Sequence, residues 1–249
     1  MILIILMLGL ILFIVGFLAG ATKPQRWTIG GIGLILLVSA ATLMIGNDTQ
    51  HWGMHQTTKT TTTSLTSAVK NDYVDLLLYE PIKHAKTEKV YVYRQASHTK
   101  VQHTATSLKT KNTVTTTAQS SAKLVTTTKH WEYKSGLWRW LYTWTGHHSA
   151  LISTHNTFKL PKTWTTLSVS QAKWLAKQAK AQEKAAKVTL AKTVAAQVKQ
   201  ARQADPSMTT TQVATLTKKI QTAATKAAEK QAPTLITKLI KQTKQQSIY

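Results

Sequence analysis

The stretch MILIILMLGLILFIVGFLAGATKPQRWTIGGIGLILLVSAATLMIG, residues 1–46, decides the architecture. Ile2 to Gly20 carries no charge, and neither does Trp27 to Gly46. At ~1.5 Å rise per helical residue each run reaches roughly across the ~30 Å hydrocarbon core of a bilayer. A helix also satisfies its own backbone hydrogen bonds, which lipid cannot do. The expectation is a two-helix transmembrane hairpin with helices at 2–20 and 27–46. Isoleucine follows Met1 directly, without the basic leader of a cleaved signal, so the segment is read as retained.

Lys23 and Arg26 lie in the bend between the runs and are the candidate topology determinants. Cations beside membrane ends favour the cytoplasm, which places the protein in the cell membrane with both termini extracytoplasmic. Gly16 and Gly20 on one helix, and Gly30, Gly31 and Gly33 on the other, leave room for close backbone approach beside the bend. Neither span holds an ionisable residue, which argues against a proton or ion path through the hairpin.

Residues 50–168 are rich in threonine, valine, tyrosine and tryptophan, the residues of strands. In Glu88 to Gln95, Val90 and Val92 alternate with Tyr91 and Tyr93, a period of two. Further strands are expected at Thr57–Ser67, Tyr73–Tyr79, Thr113–Ala118, Ala150–Ser153 and Trp164–Val169. Leu124–Tyr133 and Leu137–Trp144 flank Lys134-Ser135-Gly136 and read as a hairpin. That register pairs Tyr133 with Trp138, Trp131 with Trp140, and Glu132 with Arg139. Trp140 would then be a core ring whose loss costs roughly 3–5 kcal/mol. The sum is a small antiparallel β domain, sandwich or barrel-like.

The run Glu88-Lys89-Val90-Tyr91-Val92-Tyr93, the turn Tyr133-Lys134-Ser135-Gly136 and the segment Ser168 to Lys180 follow two amino-terminal apolar helices. In these features residues 1–180 resemble an uncharacterised two-helix membrane-protein family of lactic-acid bacteria that carries a domain of unknown function. The resemblance implies an envelope protein. It supplies no activity and no site residues.

Residues 169–249 form the third part, a basic helical arm. Ser170 is the expected N-cap of a helix reaching Ala204, where Asp205-Pro206 interrupts it. A second helix should start near Thr209, with Gln212 completing a capping box, and a third near Pro233. From residue 171 onward there are 15 cations and 3 acids. Lys173, Lys177, Lys180, Lys184 and Lys187 recur at helical spacing as one stripe, the candidate polyanion-binding residues.

The chain has 249 residues, a net charge of +23 and no cysteine, so thiolate metal sites and disulfides are excluded. All but four of its 32 cations are lysines, mobile point charges suited to diffuse attraction, whereas shaped phosphate readout favours arginine. His51 and His55 lack the glutamate of a metalloprotease helix and read as a juxtamembrane linker; Trp52 beside them reads as an interfacial aromatic. His147-His148 read as an exposed turn, and Asp72 and Asp75 differ in strand parity. No catalytic, cofactor-binding or metal residue is nominated, and no cofactor is expected.

The leading expectation is a non-enzymatic, membrane-anchored extracytoplasmic envelope protein whose arm associates with anionic cell-wall polymer or lipid headgroups. The alternative is an accessory subunit of a multispanning transporter or envelope complex. An envelope-polymer enzyme ranks below both, and a cytoplasmic nucleic-acid binder ranks last. The fold class is an α+β membrane protein of three parts, residues 1–49, 50–168 and 169–249.

Overall fold

The computed structural model describes residues 1–20, 22–69, 74–82, 88–145 and 149–248. Asp72, Tyr73, His147, His148 and Tyr249 lie outside them, and with them the expected start of a strand at Tyr73, the Asp72 parity argument and the His147-His148 turn. Helices α1 (Ile2–Ala19) and α2 (Lys23–Gln50) are long and apolar enough to cross a membrane, by length and composition. Helix α2 starts four residues before the expected Trp27, because Thr22 is extended and Pro24 sits in the first turn, where no backbone N–H is needed. It runs on to Gln50 and closes at His51, which takes a left-handed conformation. Only the three-residue turn His51–Gly53 separates it from strand β1 (Met54–Thr66), so His51 and His55 stand at a helix cap and on a strand.

Seven more strands follow: β2 (Asp75–Pro81), β3 (Lys89–Gln95), β4 (Val101–His103), β5 (Thr110–Thr117), β6 (Lys123–Tyr133), β7 (Ser149–Pro161) and β8 (Trp164–Ser168). One sheet holds all eight in the order β5-β7-β6-β1-β3-β2-β8, with β4 paired to β3. Strand β3 runs antiparallel to β1, β2 and β4, but β8 runs parallel to β2. The sheet is therefore mixed, and the wholly antiparallel expectation is corrected. Strand β8 takes the edge beside β2 and leads straight into helix α4 (Val169–Ala204).

The chain divides into two compact units, and strands β1, β5, β6 and β7 contribute residues to both. Unit 1 comprises 1–62, 107–113 and 125–157. Within it, a side chain at Gly16 would run into the backbone of Gly30, and one at Gly33 into Phe13. These glycines do face the partner helix, as their spacing suggests. Gly31 does not: open space surrounds it. The second half of the expected hairpin is instead a short helix, α3 (Gly136–Leu141). Tyr133 and Tyr142 stack with centroids 5.6 Å apart, and Trp138 stacks on Tyr142 at 6.2 Å. Trp131 packs on His51 rather than Trp140, Trp140 is 53% exposed, and Glu132 and Arg139 make no ion pair. A positive φ of 79° at Gly53 lets the Trp138 ring lie against its Cα, where any side chain would collide.

Unit 2 comprises 63–106, 114–124 and 158–249. Strand β2 is buried on both faces: Leu77 and Tyr79 join Tyr91, Phe158 and Leu160 in one apolar cluster, while Leu76 and Leu78 join Val92 and Leu167 in another. The alternation read in β3 is realised, Tyr91 and Tyr93 going to the first cluster and Val92 to the second. Helix α4 covers the second with Val169, Ala172 and Leu175. Its N-cap is Ser168, two residues before the expected Ser170: Ser168 Oγ accepts from Gln171 N at 3.1 Å, and Gln171 Oε1 accepts from Ser168 N at 3.0 Å. Helix α5 (Thr210–Lys244) starts with the expected Thr209–Gln212 box. It does not restart at Pro233 but continues through it, because Leu235, Ile236 and Leu239 pack towards Leu175 and Ala176 and outweigh one missing backbone hydrogen bond. Its end returns to the start of α4, where Gln171 Nε2 donates to the Gln246 carbonyl at 3.0 Å.

Tyr142 is 1% exposed, and its hydroxyl donates to the Leu43 carbonyl at 2.7 Å. Tyr142→Ala should destabilise unit 1 by about 3–5 kcal/mol, and Tyr142→Phe by about 0.5–1.5 kcal/mol through the lost hydrogen bond. Trp140→Ala should change folding stability by no more than ~0.5 kcal/mol. Burial, with a smaller contribution from the charge of Tyr133, pushes the Tyr142 phenol up to about 12. The fold holds the neutral phenol, so its contribution is complete below the ordinary value of 10.0 and is lost as pH climbs towards 12. Urea melts of the full chain in micelles across that range measure all three variants, and the alkaline loss should shrink in Tyr142→Phe.

Candidate polyanion-binding face

Helix α4 is alanine-, lysine- and glutamine-rich, so its uninterrupted length rests on good helix formers and on its cap. Over ~21 Å of its length, at ~1.5 Å per residue, Lys173, Lys177, Lys180, Lys184 and Lys187 all stand exposed. Neighbours three and four apart place their Cβ atoms ~5–6 Å from one another, so the five ammonium groups form one strip. Glu183 interrupts its edge, pairing with Lys187 at 2.6 Å. Its carboxyl is held below the usual range, first by the hydrogen bond from Lys187 and then by the charges of Lys187 and Lys180. Both side chains are largely exposed, so solvent screens the pair.

Lys173 belongs to a second feature as well. It lines a cavity of about 750 Å³ together with Glu80, His103, Thr106 and Ser170. Most of its remaining wall is apolar, formed by Pro81, Ile82, Val90, Val169 and Ile248. Ser170 Oγ is engaged by the Ser247 carbonyl at 3.3 Å. A separate groove of about 430 Å³ between β2, α4 and α5 is apolar except for Gln182. Neither could be read from the sequence, since each joins residues more than sixty positions apart.

Lys23 and Arg26, expected in the bend, lie instead in the first turn of α2 in unit 1, both exposed, with Arg26 Nε donating to the Gly20 carbonyl at 2.7 Å. His51 stacks on Trp131 at 4.4 Å, and His55 is exposed on β1. Trp52 is 42% exposed, its ring on Gly46 and its indole N–H donating to Gln50 Oε1. Among the described residues, no three His, Asp or Glu side chains gather closely enough to hold a metal ion.

Fold and site define a class: an α+β protein with two apolar amino-terminal helices, a mixed sheet, and a long helix with a lysine face. The chain belongs to the family described as Domain of unknown function (DUF4811), whose model matches residues 22–175. No curated protein and no solved structure gives a significant match. The matched region holds α2, all eight strands and the first two turns of α4. Lys23, Arg26 and Lys173 fall inside it; Lys177, Lys180, Lys184 and Lys187 fall beyond it.

Glu183→Gln removes a negative charge and frees Lys187. It should therefore tighten association of the full chain with a poly(glycerol phosphate) probe at low salt, while Gln182→Glu should weaken it. Equilibrium titration of the three proteins gives the order, and equal affinities would mean that the strip is not the contact.

Proposed function

We propose that this protein is a non-enzymatic component of a bacterial envelope. Helices α1 and α2 anchor it in the cell membrane with both termini extracytoplasmic, and the α4 strip associates with anionic wall polymer or lipid headgroups. The observation that carries the reading is the alignment of five exposed lysines on one face of an uninterrupted helix. Each lysine near an anionic surface contributes on the order of 1 kcal/mol, fading over a Debye length of ~8 Å at physiological salt. Lysines on long flexible stems suit a polymer of repeating charge without fixed geometry. The apolar windows of α1 and α2 are only 17% and 22% buried, which supports lipid contact over a place in a soluble core.

Replacing Lys173, Lys177, Lys180, Lys184 and Lys187 together by glutamine should abolish most association of the reconstituted chain with teichoic-acid-like polymer and leave the sheet folded. Replacing all five by arginine should preserve it, because a diffuse field depends on charge rather than on shape. Raising salt from about 50 to about 500 mM should release the wild-type protein. Binding that survives high salt, or that arginine abolishes, would point to a shaped site.

Topology has its own test. Protease added to intact, wall-stripped cells should digest the chain beyond about Asn47, given the cations Lys23 and Arg26 at the bend. Complete protection would place the soluble part in the cytoplasm.

A further inference from the structure

Where α1 begins and α2 ends, unit 1 leaves large apolar side chains in the open. Leu137 is 70% exposed and Trp144 59%, and Trp140, three residues on from Leu137 along α3, is exposed as well. Helix α3 turns Trp138 and Leu141 into the unit's core, so the outward set is not a by-product of poor packing. Clustered exposed apolar surface marks an interaction site.

Position identifies the partner. The Tyr142 hydroxyl is fixed to the Leu43 carbonyl of α2, and Tyr142 and Trp144 share a cavity of about 530 Å³ with Leu3, Met44 and Ile45. The aromatic cluster is thereby held level with the last apolar turns of α2 and the first of α1. Counted along α2 at ~1.5 Å per residue, Ile45 stands ~27 Å from Trp27, close to one hydrocarbon thickness of ~30 Å. Trp27, exposed in the second turn of α2, marks the opposite end of that interval. Tryptophan at both ends of an apolar span is the arrangement of an interfacial belt, with the ring body against acyl chains and its N–H towards headgroups. Lys134 and Arg139 flank the cluster, both exposed, on stems long enough to reach lipid phosphates.

We infer that α3 and the Trp144 turn form a membrane-interface foot. Leu137, Trp140 and Trp144 sit at the acyl–headgroup boundary of the leaflet where α1 begins and α2 ends, and Lys134 and Arg139 contact anionic headgroups. The foot rests on the reading of α1 and α2 as membrane spans and adds to it a third lipid contact that sets how unit 1 is seated on the bilayer. It is independent of the α4 lysines.

The absence of cysteine makes the test direct. Single variants Leu137→Cys, Trp140→Cys, Ile35→Cys and Lys184→Cys of the full chain carry a nitroxide label in vesicles of phosphatidylcholine alone, whose net-neutral surface gives the α4 lysines no anionic headgroup to bind. Power saturation then compares accessibility to oxygen with accessibility to a water-soluble nickel chelate. Labels at 137 and 140 should be several-fold less accessible to nickel than the label at 184, with the label at 35 deepest. The Leu137→Cys variant keeps all the tryptophans, so it reports even if loss of Trp140 disturbs the foot. Labels at 137 and 140 as nickel-accessible as at 184, with 35 still in lipid, would overturn the foot and leave the hairpin standing. A nickel-accessible label at 35 would overturn both.

Discussion

Strand β2 has no face left for water. Leu77 and Tyr79 point into one apolar cluster and Leu76 and Leu78 into the other, so unit 2 must supply a cover on each side. Tyr91, Phe158 and Leu160 cover one. The other falls to the helix that leaves β8, which explains why α4 opens with Val169, Ala172 and Leu175 and turns lysine-rich only on its remaining circumference. A strand closed on both sides is the usual state beside parallel pairing, and β2 meets β8 in that way. The exposure of the lysine strip is thus a consequence of the core: the face that buries leucine fixes which face meets solvent.

Unit 1 depends on a different constraint, the close approach of two backbones. Gly16, Gly30 and Gly33 let α1 and α2 touch where any side chain would hold them apart. Once paired, the helices present a common end, and Ile2, Ala40 and Met54 pack there with Tyr133 and Tyr142. The Tyr142 hydrogen bond to the Leu43 carbonyl then ties the soluble part of the unit to the apolar helix directly, with no flexible spacer. Asn47 Nδ2 reinforces the junction by donating to the Trp52 carbonyl at 2.8 Å.

Both surfaces offered to the surroundings are simple in chemistry. One is a line of ammonium groups with a single carboxylate at its edge; the other is a group of rings beside two cations. Neither contains an arrangement of reacting groups, and any contact that either makes is distributed over several side chains of modest individual contribution. The matched family region ends at Leu175, so the shared part of the chain includes the sheet and the ring cluster but only the first lysine of the strip.

Much of this was legible in local sequence. The two apolar runs, the alternation in β3, the Thr209–Gln212 box and the break at Asp205-Pro206 are signals confined to a few neighbouring residues, and the backbone obeys them. The stripe spacing likewise determined that the five lysines share one helix face. Trp138, Trp140 and Tyr142 alternate as a strand would, yet Trp138, Leu141 and Tyr142 are equally spaced for a helix face. Only contacts with Gly53 and Leu43, some ninety positions away, made the helix the better solution. Pro233 carries a local stop signal that packing against α4 overrode. Periodicity determines which face of an element is apolar; which elements meet, and therefore which faces stay exposed, is a matter of long-range burial that only the tertiary structure decides.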